Sequence, residues 1–512
     1  MTELQSFPFK TTPFSHQAEE FVTSGNQEIR GILWEQGTGK SKLTIDTAAN
    51  LYLQEEIDAV LVVAPNGVHG NWIFDEIPAH LPDEVPVRSL EWESKKAKTQ
   101  KYQRSLEALI RFEGLAFLSV NYDVFARKGA AREFVDRFLA ERKVFFICDE
   151  SQRIKTPGAK RTQAICRLGR EFPKGKPVIE NVRHRRILSG TPVTQSPLDI
   201  YAQLKFLDWD LWRREGFASF ESFKTNFAIY EKMVRTSDGA FKRRQDCTPG
   251  EIRGASGRFD RLVAHKNLDQ LQEIVDRYCS RVTKDAVLDL PDKIYTKRYF
   301  EMSPRQRKLY EEIRDDFMAF LDSGEAITAP LVIVRLLRLQ QITCGYVPSD
   351  DCDTMHYLGD NPRMNALLDV LNDVDGKAII WARFRQDINQ ICAELGEHAV
   401  RYDGSVSHEQ RLENRRRFQD PNGPRFFVAN PAAAATGLTL TEATTVIYYS
   451  NSFKLEDRLQ SEDRAHRIGQ KSNVRYIDLV ASGTVDAKIV AALRKKLDLA
   501  SQVTGDKIRD WI

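Results

Sequence analysis

No apolar run in this 512-residue chain approaches the roughly 20 residues that cross a bilayer, so a helical membrane protein is not expected. The opening residues, MTELQSFPFK, lack a basic region followed by an apolar stretch. No secretory leader is therefore expected, and the protein is read as intracellular, in cytoplasm or nucleoid if the source is bacterial or viral. Cysteine is scarce. Cys148, Cys166, Cys247, Cys279, Cys344, Cys352 and Cys392 are odd in number, scattered and never spaced CxxC, a pattern of reduced thiols without a disulfide framework or zinc ribbon. The nine histidines form no HxxxH or HExxH pair, so no transition-metal site is expected. Strong net charge is missing too. A sum of +3 does not demand a nucleic-acid partner, but it hides basic clusters such as SKKAKTQKYQR from Ser94 and Lys242 to Arg244. There is no short-period repeat or low-complexity tract.

What is present is an ordinary globular composition, 42% hydrophobic, 10% aromatic and 29% charged, in a chain too long for one core. Two or three folded units are expected. The first two hundred residues alternate β-rich runs (GILW, AVLVVAP, LAFLSV, KVFFICDE, RRILSGTP) with amphipathic helical segments, each run ending in a polar or Gly/Pro turn. A second series begins near Lys377: KAIIWARF, AVRYDG, RFFVAN, TTVIYYS and VRYIDLV. The pattern predicts an α/β fold with two parallel-sheet lobes and helical insertions, functional loops lying at the strand ends. The expected division is 1–208 for an N-terminal lobe, 209–285 for a helical protrusion with a basic loop, and 286–512 for a C-terminal lobe with a helical insertion and a brace helix, VDAKIVAALRKKLDLASQV. The stretch Lys232 to Arg261 holds eight Lys/Arg against four Asp/Glu and four glycines, which predicts an exposed insertion, either gripping phosphates or solvated.

Three constellations carry chemistry. Gly37-Thr38-Gly39-Lys40-Ser41 follows an apolar run and opens a helical segment, the context of a phosphate cradle: glycines let backbone amides approach an anion, Lys40 reaches the β- and γ-phosphates, and Ser41 holds magnesium. Trp34 stands where the GxxxxGK[ST] pattern has its first glycine. Asp149 and Glu150 end a strongly apolar strand, where Asp149 suits magnesium and Glu150 suits a general base. A pair of acids capping a strand is common by itself; the conjunction with Lys40 gives it meaning. In QSEDRAHRIGQ, starting at Gln460, Arg464 and Arg467 are three apart and are predicted on one helical face, either aimed at one phosphate or pairing with Glu462 and Asp463 on a solvated helix. Two weaker signals remain. Gln17, in Phe14-Ser15-His16-Gln17, can read adenine through its amide. Ser189, Gly190 and Thr191 can couple phosphate state to a second ligand, or form a plain turn.

The ordered set SHQ, EQGTGKS, VVAPNGVHGNW, CDESQRIK, LSGTPVTQSP, IIWARFRQ, RYDGSVSHEQR, TGLTLTEATTVIYY and DRAHRIGQ resembles the Snf-type ATPases of helicase superfamily two over nearly the whole chain. DESQRIKTPGAKRT and AAAATGLTL are similar to its distant branch, which includes annealing helicases. The resemblance implies two RecA-like lobes, ATP and magnesium in the cleft, and double-stranded DNA across both lobes. It implies Gln17, Gly37 to Ser41 and Gly437 as ATP-binding, Ser41 and Asp149 as magnesium-binding, and Lys40, Asp149, Glu150, Arg464 and Arg467 as catalytic. It maps Pro65, Asn66, Asn121, Tyr122, Arg383, Gly404, Ser405 and Thr439 onto the DNA track, and Ser189, Gly190, Thr191 and Gln460 onto coupling between the lobes. Two departures stand out: Gln152 where that family often has histidine, and Ala433 to Ala435 where it usually has glycines. The implied function is an ATP-dependent double-stranded DNA translocase. It would be a bare motor, targeted by its insertion, by DNA shape or by a protein partner in trans. The rivals are a strand-separating or annealing helicase on forked DNA or RNA, and a nucleotide-switched DNA-binding clamp with little turnover.

Overall fold

The structure, a computed structural model, describes residues 7–66, 68–170, 181–236, 241–253, 255, 257–322, 329–349, 354–436 and 438–506. Two compact units divide the chain: Met1–Phe227, Asn267–Asp289 and Leu499–Lys507 form one, and Ala228–Lys266, Leu290–Asp498 and Ile508–Ile512 the other.

The first unit is built on seven parallel strands: β1 (Ile29–Ile32), β2 (Ala59–Ala64), β3 (Val87–Glu91), β4 (Leu115–Asn121), β5 (Val144–Asp149), β6 (Arg185–Leu188) and β10 (Cys279–Ser280), in the order β10-β1-β6-β5-β2-β4-β3. A parallel sheet covered on both faces needs apolar side chains at every position. Strand β2, AVLVVA, meets that demand: Ala59, Leu61 and Val63 enter one core cluster, and Val60, Val62 and Ala64 enter another on the opposite face. Each fully buried valine or leucine contributes about 1.5–3 kcal/mol, so an aspartate at Val62 would break the sheet at its centre. Because all strands run the same way, the loops that follow them collect along one edge. Register places Ala64 beside Asn121, and Asp149 beside Leu188.

The second unit repeats the plan with β11 (Lys293–Phe300), β14 (Lys377–Trp381), β15 (Ala399–Tyr402), β16 (Phe426–Ala429), β17 (Ala443–Tyr448) and β18 (Val474–Ala481), all parallel, in the order β11-β18-β17-β14-β16-β15. Alternation again splits the core, with Ala378 and Ile380 on one face and Ile379 and Trp381 on the other. The sheet begins with β11, well before the apolar series at Lys377, because β11 is an edge strand whose Ile294 and Tyr299 stay exposed and give no strong pattern. A short antiparallel hairpin joins β12 (Tyr346–Pro348) to β13 (Met355–Tyr357).

The basic stretch after Phe227 is not a loop. It pairs as an antiparallel sheet of β7 (Ala228–Arg235), β8 (Phe241–Arg243) and β9 (Gly257–His265). Its charges pair with one another: Glu231 on β7 meets Arg261 of β9 at 2.6 Å and Arg243 of β8 at 3.8 Å, while Lys242 of β8 meets Glu251 at 2.7 Å. Cross-strand pairing of this kind, with Tyr230, Val234 and Phe259 as strand formers, overrides the glycine content. The helix Val485–Thr504 begins in the second unit, and its last residues belong to the first. Beyond it, Asp506 pairs with Arg281 at 2.7 Å. Among the described residues no helix is long and apolar enough to cross a membrane.

Candidate nucleotide and DNA sites

The phosphate-loop residues occupy the turn between β1 and the helix Lys40–Leu53. Gly37 and Gly39 have φ of 80° and 83°, the left-handed region that favours glycine, and a Cβ on Gly39 would lie 1.9 Å from Gln17 Nε2. Gln17 donates to the Gly39 carbonyl at 3.1 Å, and His16 Nε2 lies 2.8 Å from the Thr38 carbonyl, so the SHQ segment fastens the loop from beneath. The Lys40 ammonium donates to the carbonyls of Trp34 (2.9 Å) and Glu35 (3.1 Å). Trp34, in the first-glycine position, is fully buried and donates its indole N–H to Ser280 Oγ at 2.9 Å, tying the segment after β1 to β10.

The acid pair sits at the end of β5. Asp149 Oδ1 accepts from the Glu150 amide (3.0 Å), Oδ2 accepts from Trp72 Nε1 (3.0 Å), and its main-chain carbonyl accepts from the Tyr122 hydroxyl (2.7 Å). Burial pushes the Asp149 carboxyl above its ordinary range, against the Trp72 hydrogen bond and the Lys40 charge. Glu150 has a left-handed backbone, φ 52°, a strained conformation for a non-glycine residue. Its Oε2 accepts from Gln152 Nε2 at 2.7 Å. Gln152 Oε1 in turn accepts from Ser189 Oγ at 2.7 Å, and Ser189 Oγ accepts from the Thr191 amide at 3.1 Å. A primary amide both donates and accepts, so Gln152 joins the acid to the SGT turn where the resembled family often has histidine. Gly190 lies in the same turn, 3.0 Å from Gln36 Cγ as measured from a Cβ built there, and Gln36 Nε2 reaches Glu150 Oε1 at 3.4 Å.

In the second unit the expected helical face is not formed. The helix Leu455–Glu462 ends before the arginines, and the Arg464 carbonyl is taken by the Leu440 amide at 2.9 Å instead of continuing the helix. Glu462 points inward, 1% exposed, to Arg458 at 2.7 Å and to the Tyr295 hydroxyl at 2.7 Å, so it is not part of a solvated helix surface. Arg464 and Arg467 nevertheless converge: their Nη1 atoms lie 3.3 and 3.2 Å from the Leu438 carbonyl oxygen, and Arg467 also donates to Thr439 Oγ1 at 3.0 Å. The Gln460 carbonyl accepts from Arg464 Nε at 2.9 Å. Gly437 lies outside the described residues.

The residues mapped to DNA fall into four places. Pro65 and Asn66 follow β2 and Asn121 and Tyr122 end β4, so strand register makes them neighbours; Asn66 is exposed, and Asn121 Oδ1 caps the turn Tyr122–Ala126 through the Asp123 amide at 3.0 Å. Gly404 and Ser405 are exposed after β15, where Ser405 Oγ donates to Asp403 Oδ1 at 2.6 Å. Arg383 is directed inward, donating from Nη1 to Gln340 Oε1 at 2.7 Å. Thr439 stands with the arginine pair. The sequence reading gave Trp72 no role, although a tryptophan in a polar segment after a buried strand is itself a signal.

This phosphate-loop lobe followed by a second parallel lobe with paired arginines defines a helicase-type core, and the chain belongs to the SNF2-related family: the SNF2-related domain matches residues 16–345 and the helicase conserved C-terminal domain matches residues 362–469. It is 26% identical, over 95% of its length, to the ISWI chromatin-remodeling complex ATPase ISW1 of Saccharomyces cerevisiae, and 24% identical, over 98%, to the DNA annealing helicase and endonuclease ZRANB3 of Homo sapiens. The chain spans 40% of the length of each. A solved SWI2/SNF2 ATPase core of Sulfolobus solfataricus in complex with dsDNA is 21% identical, covering 98% of this chain and 95% of that one at a TM-score of 0.40.

Proposed function

We propose that the protein is an ATP-dependent translocase on double-stranded DNA. The hydrogen-bonded chain from Glu150 through Gln152 to Ser189 and Thr191 carries this reading, because it ties the assigned base to the segment assigned to coupling. In this reading Lys40 exchanges the carbonyls of Trp34 and Glu35 for phosphate oxygens, and Gln17 reads adenine. Magnesium takes few protein ligands. Ser41 and Asp149 fit it, since the Asp149 carboxylate is oriented by two N–H donors and keeps lone pairs for a cation. The ion would neutralise phosphate charge. Glu150 orients and deprotonates the attacking water, and Arg464 and Arg467 are assigned to the terminal phosphate. Grip on DNA would come from phosphate contacts, and so largely without sequence preference.

The test is the ATPase rate with duplex, single-stranded or forked DNA, or RNA, as activator. Duplex is expected to stimulate most strongly, with affinity falling steeply with salt. Stimulation by single strands or RNA alone moves the reading to a strand-separating helicase. Tight nucleotide-dependent DNA binding with negligible turnover moves it to a clamp.

A further inference from the structure

Both side-chain donors that hold Asp149 come from segments assigned to the DNA track. Trp72 lies in the segment after β2, which also carries Pro65 and Asn66, and Tyr122 follows Asn121 at the end of β4. The first segment is fastened at two points. The His69 carbonyl accepts from Ser119 Oγ of β4 at 2.7 Å, and Trp72, 1% exposed, stacks on Phe117 of β4 at 6.3 Å while its N–H reaches Asp149. Its exposed residues include Asn66, Phe74 and Asp75, with Phe74 65% exposed. Residues Trp72–Glu76 form a π-helical turn, a rare geometry that is frequent at functional sites. The indole N–H of Trp72 thus links this segment directly to a carboxylate oxygen of Asp149.

The geometry points to Trp72 as a positioning residue that holds the metal-facing carboxylate of Asp149 from the duplex-contacting side of the same lobe, so that duplex binding is felt at the magnesium site. This rests on the translocase reading. An indole N–H bonded to a carboxylate is charge-assisted and directional, and one oxygen can accept that bond while presenting its second lone pair to a cation. Tyr122 fixes the main chain of the same residue, so side chain and backbone of Asp149 are both set from the two track segments.

The test is Mn2+ binding to the protein with ADP, read from the free-Mn2+ paramagnetic resonance signal with and without duplex, for the parent, Trp72→Phe and Phe117→Leu. Loss of a group that orients a metal ligand typically costs about 10–100-fold in metal affinity. Trp72→Phe is expected to lose that much and to lose the tightening that duplex produces in the parent. Phe117→Leu loosens the stack but keeps the indole N–H, and is expected to retain both. Should Trp72→Phe not fold, Tyr122→Phe replaces it, with weakened Mn2+ binding as the expected direction. Parent-like Mn2+ affinity in Trp72→Phe, or an equal loss in Phe117→Leu, makes Trp72 a packing residue and overturns the inference. A parent ATPase that duplex fails to stimulate overturns the translocase reading instead, while the Mn2+ arm without duplex still decides whether Trp72 holds Asp149.

Discussion

Lys40 and Glu150 sit in one lobe, yet substitution of each should fail differently. Lys40→Ala removes a phosphate contact, so both ATP binding and turnover are expected to fall. Glu150→Gln keeps an oxygen for Gln152 but loses the base, and is expected to bind ATP and hydrolyse it about 10²–10⁴-fold more slowly. Fluorescent-nucleotide binding and single-turnover hydrolysis separate the two. Hydrolysis by Glu150→Gln within about tenfold of the parent would remove Glu150 from the base role. Asp387 in the second lobe gives a pH prediction. It is fully buried, accepting from Ser450 Oγ at 2.7 Å and the Tyr346 hydroxyl at 3.0 Å, and burial pushes its carboxyl up to about 6. A raised acid pKa means the folded state keeps its proton longer than the unfolded chain, so this group's contribution to stability falls as pH rises from about 4 to about 6 and levels off above. Asp387→Asn cannot ionise. Between about pH 5 and pH 7 it should gain about 1 kcal/mol relative to the parent in urea unfolding. A pH-independent difference would mean that Asp387 titrates as it does unfolded.

At the scale of elements, the turn after the helix Leu455–Glu462 decides what the arginines can do. With the helix ended, both guanidiniums lie on the Leu438 carbonyl, a neutral partner that an anion can replace. Arg464→Ala and Arg467→Ala are each expected to leave ATP binding largely intact while slowing hydrolysis by about 10³ or more. Normal activity per folded molecule with earlier melting would give them a purely structural part. The antiparallel module β7–β9 shows the opposite use of charge. Lys242 and Arg243 lie against Glu251 and Asp246 at 2.7 and 2.6 Å, so much of the local positive charge is spent on exposed pairs that stabilise little.

For the whole molecule, the translocase proposal predicts a motor that tracks the duplex backbone without opening it. A third strand wound on a duplex should then be displaced in an ATP-dependent way while the duplex stays paired. Gel separation of triplex, duplex and single strands reads this directly, and strand separation with an intact triplex would favour the helicase rival.

What could be read from the amino acids was local. A buried parallel strand announces itself by consecutive apolar residues, which made β2, β5 and β14 legible, and a glycine-rich turn into a helix needs neighbours in sequence, which made the turn at Gly37 to Ser41 legible. Strands with a solvated face, such as β3, β9 and β11, gave no such run. The contacts that make a site of these motifs were decided by topology alone. Trp72 meets Asp149 across 77 residues, Ser189 meets Gln152 across 37, and Arg464 and Arg467 reach Leu438 across 26 and 29. No local pattern encodes such pairings, because they follow from the order in which parallel strands lie side by side, and that order is set by the packing of both sheet faces.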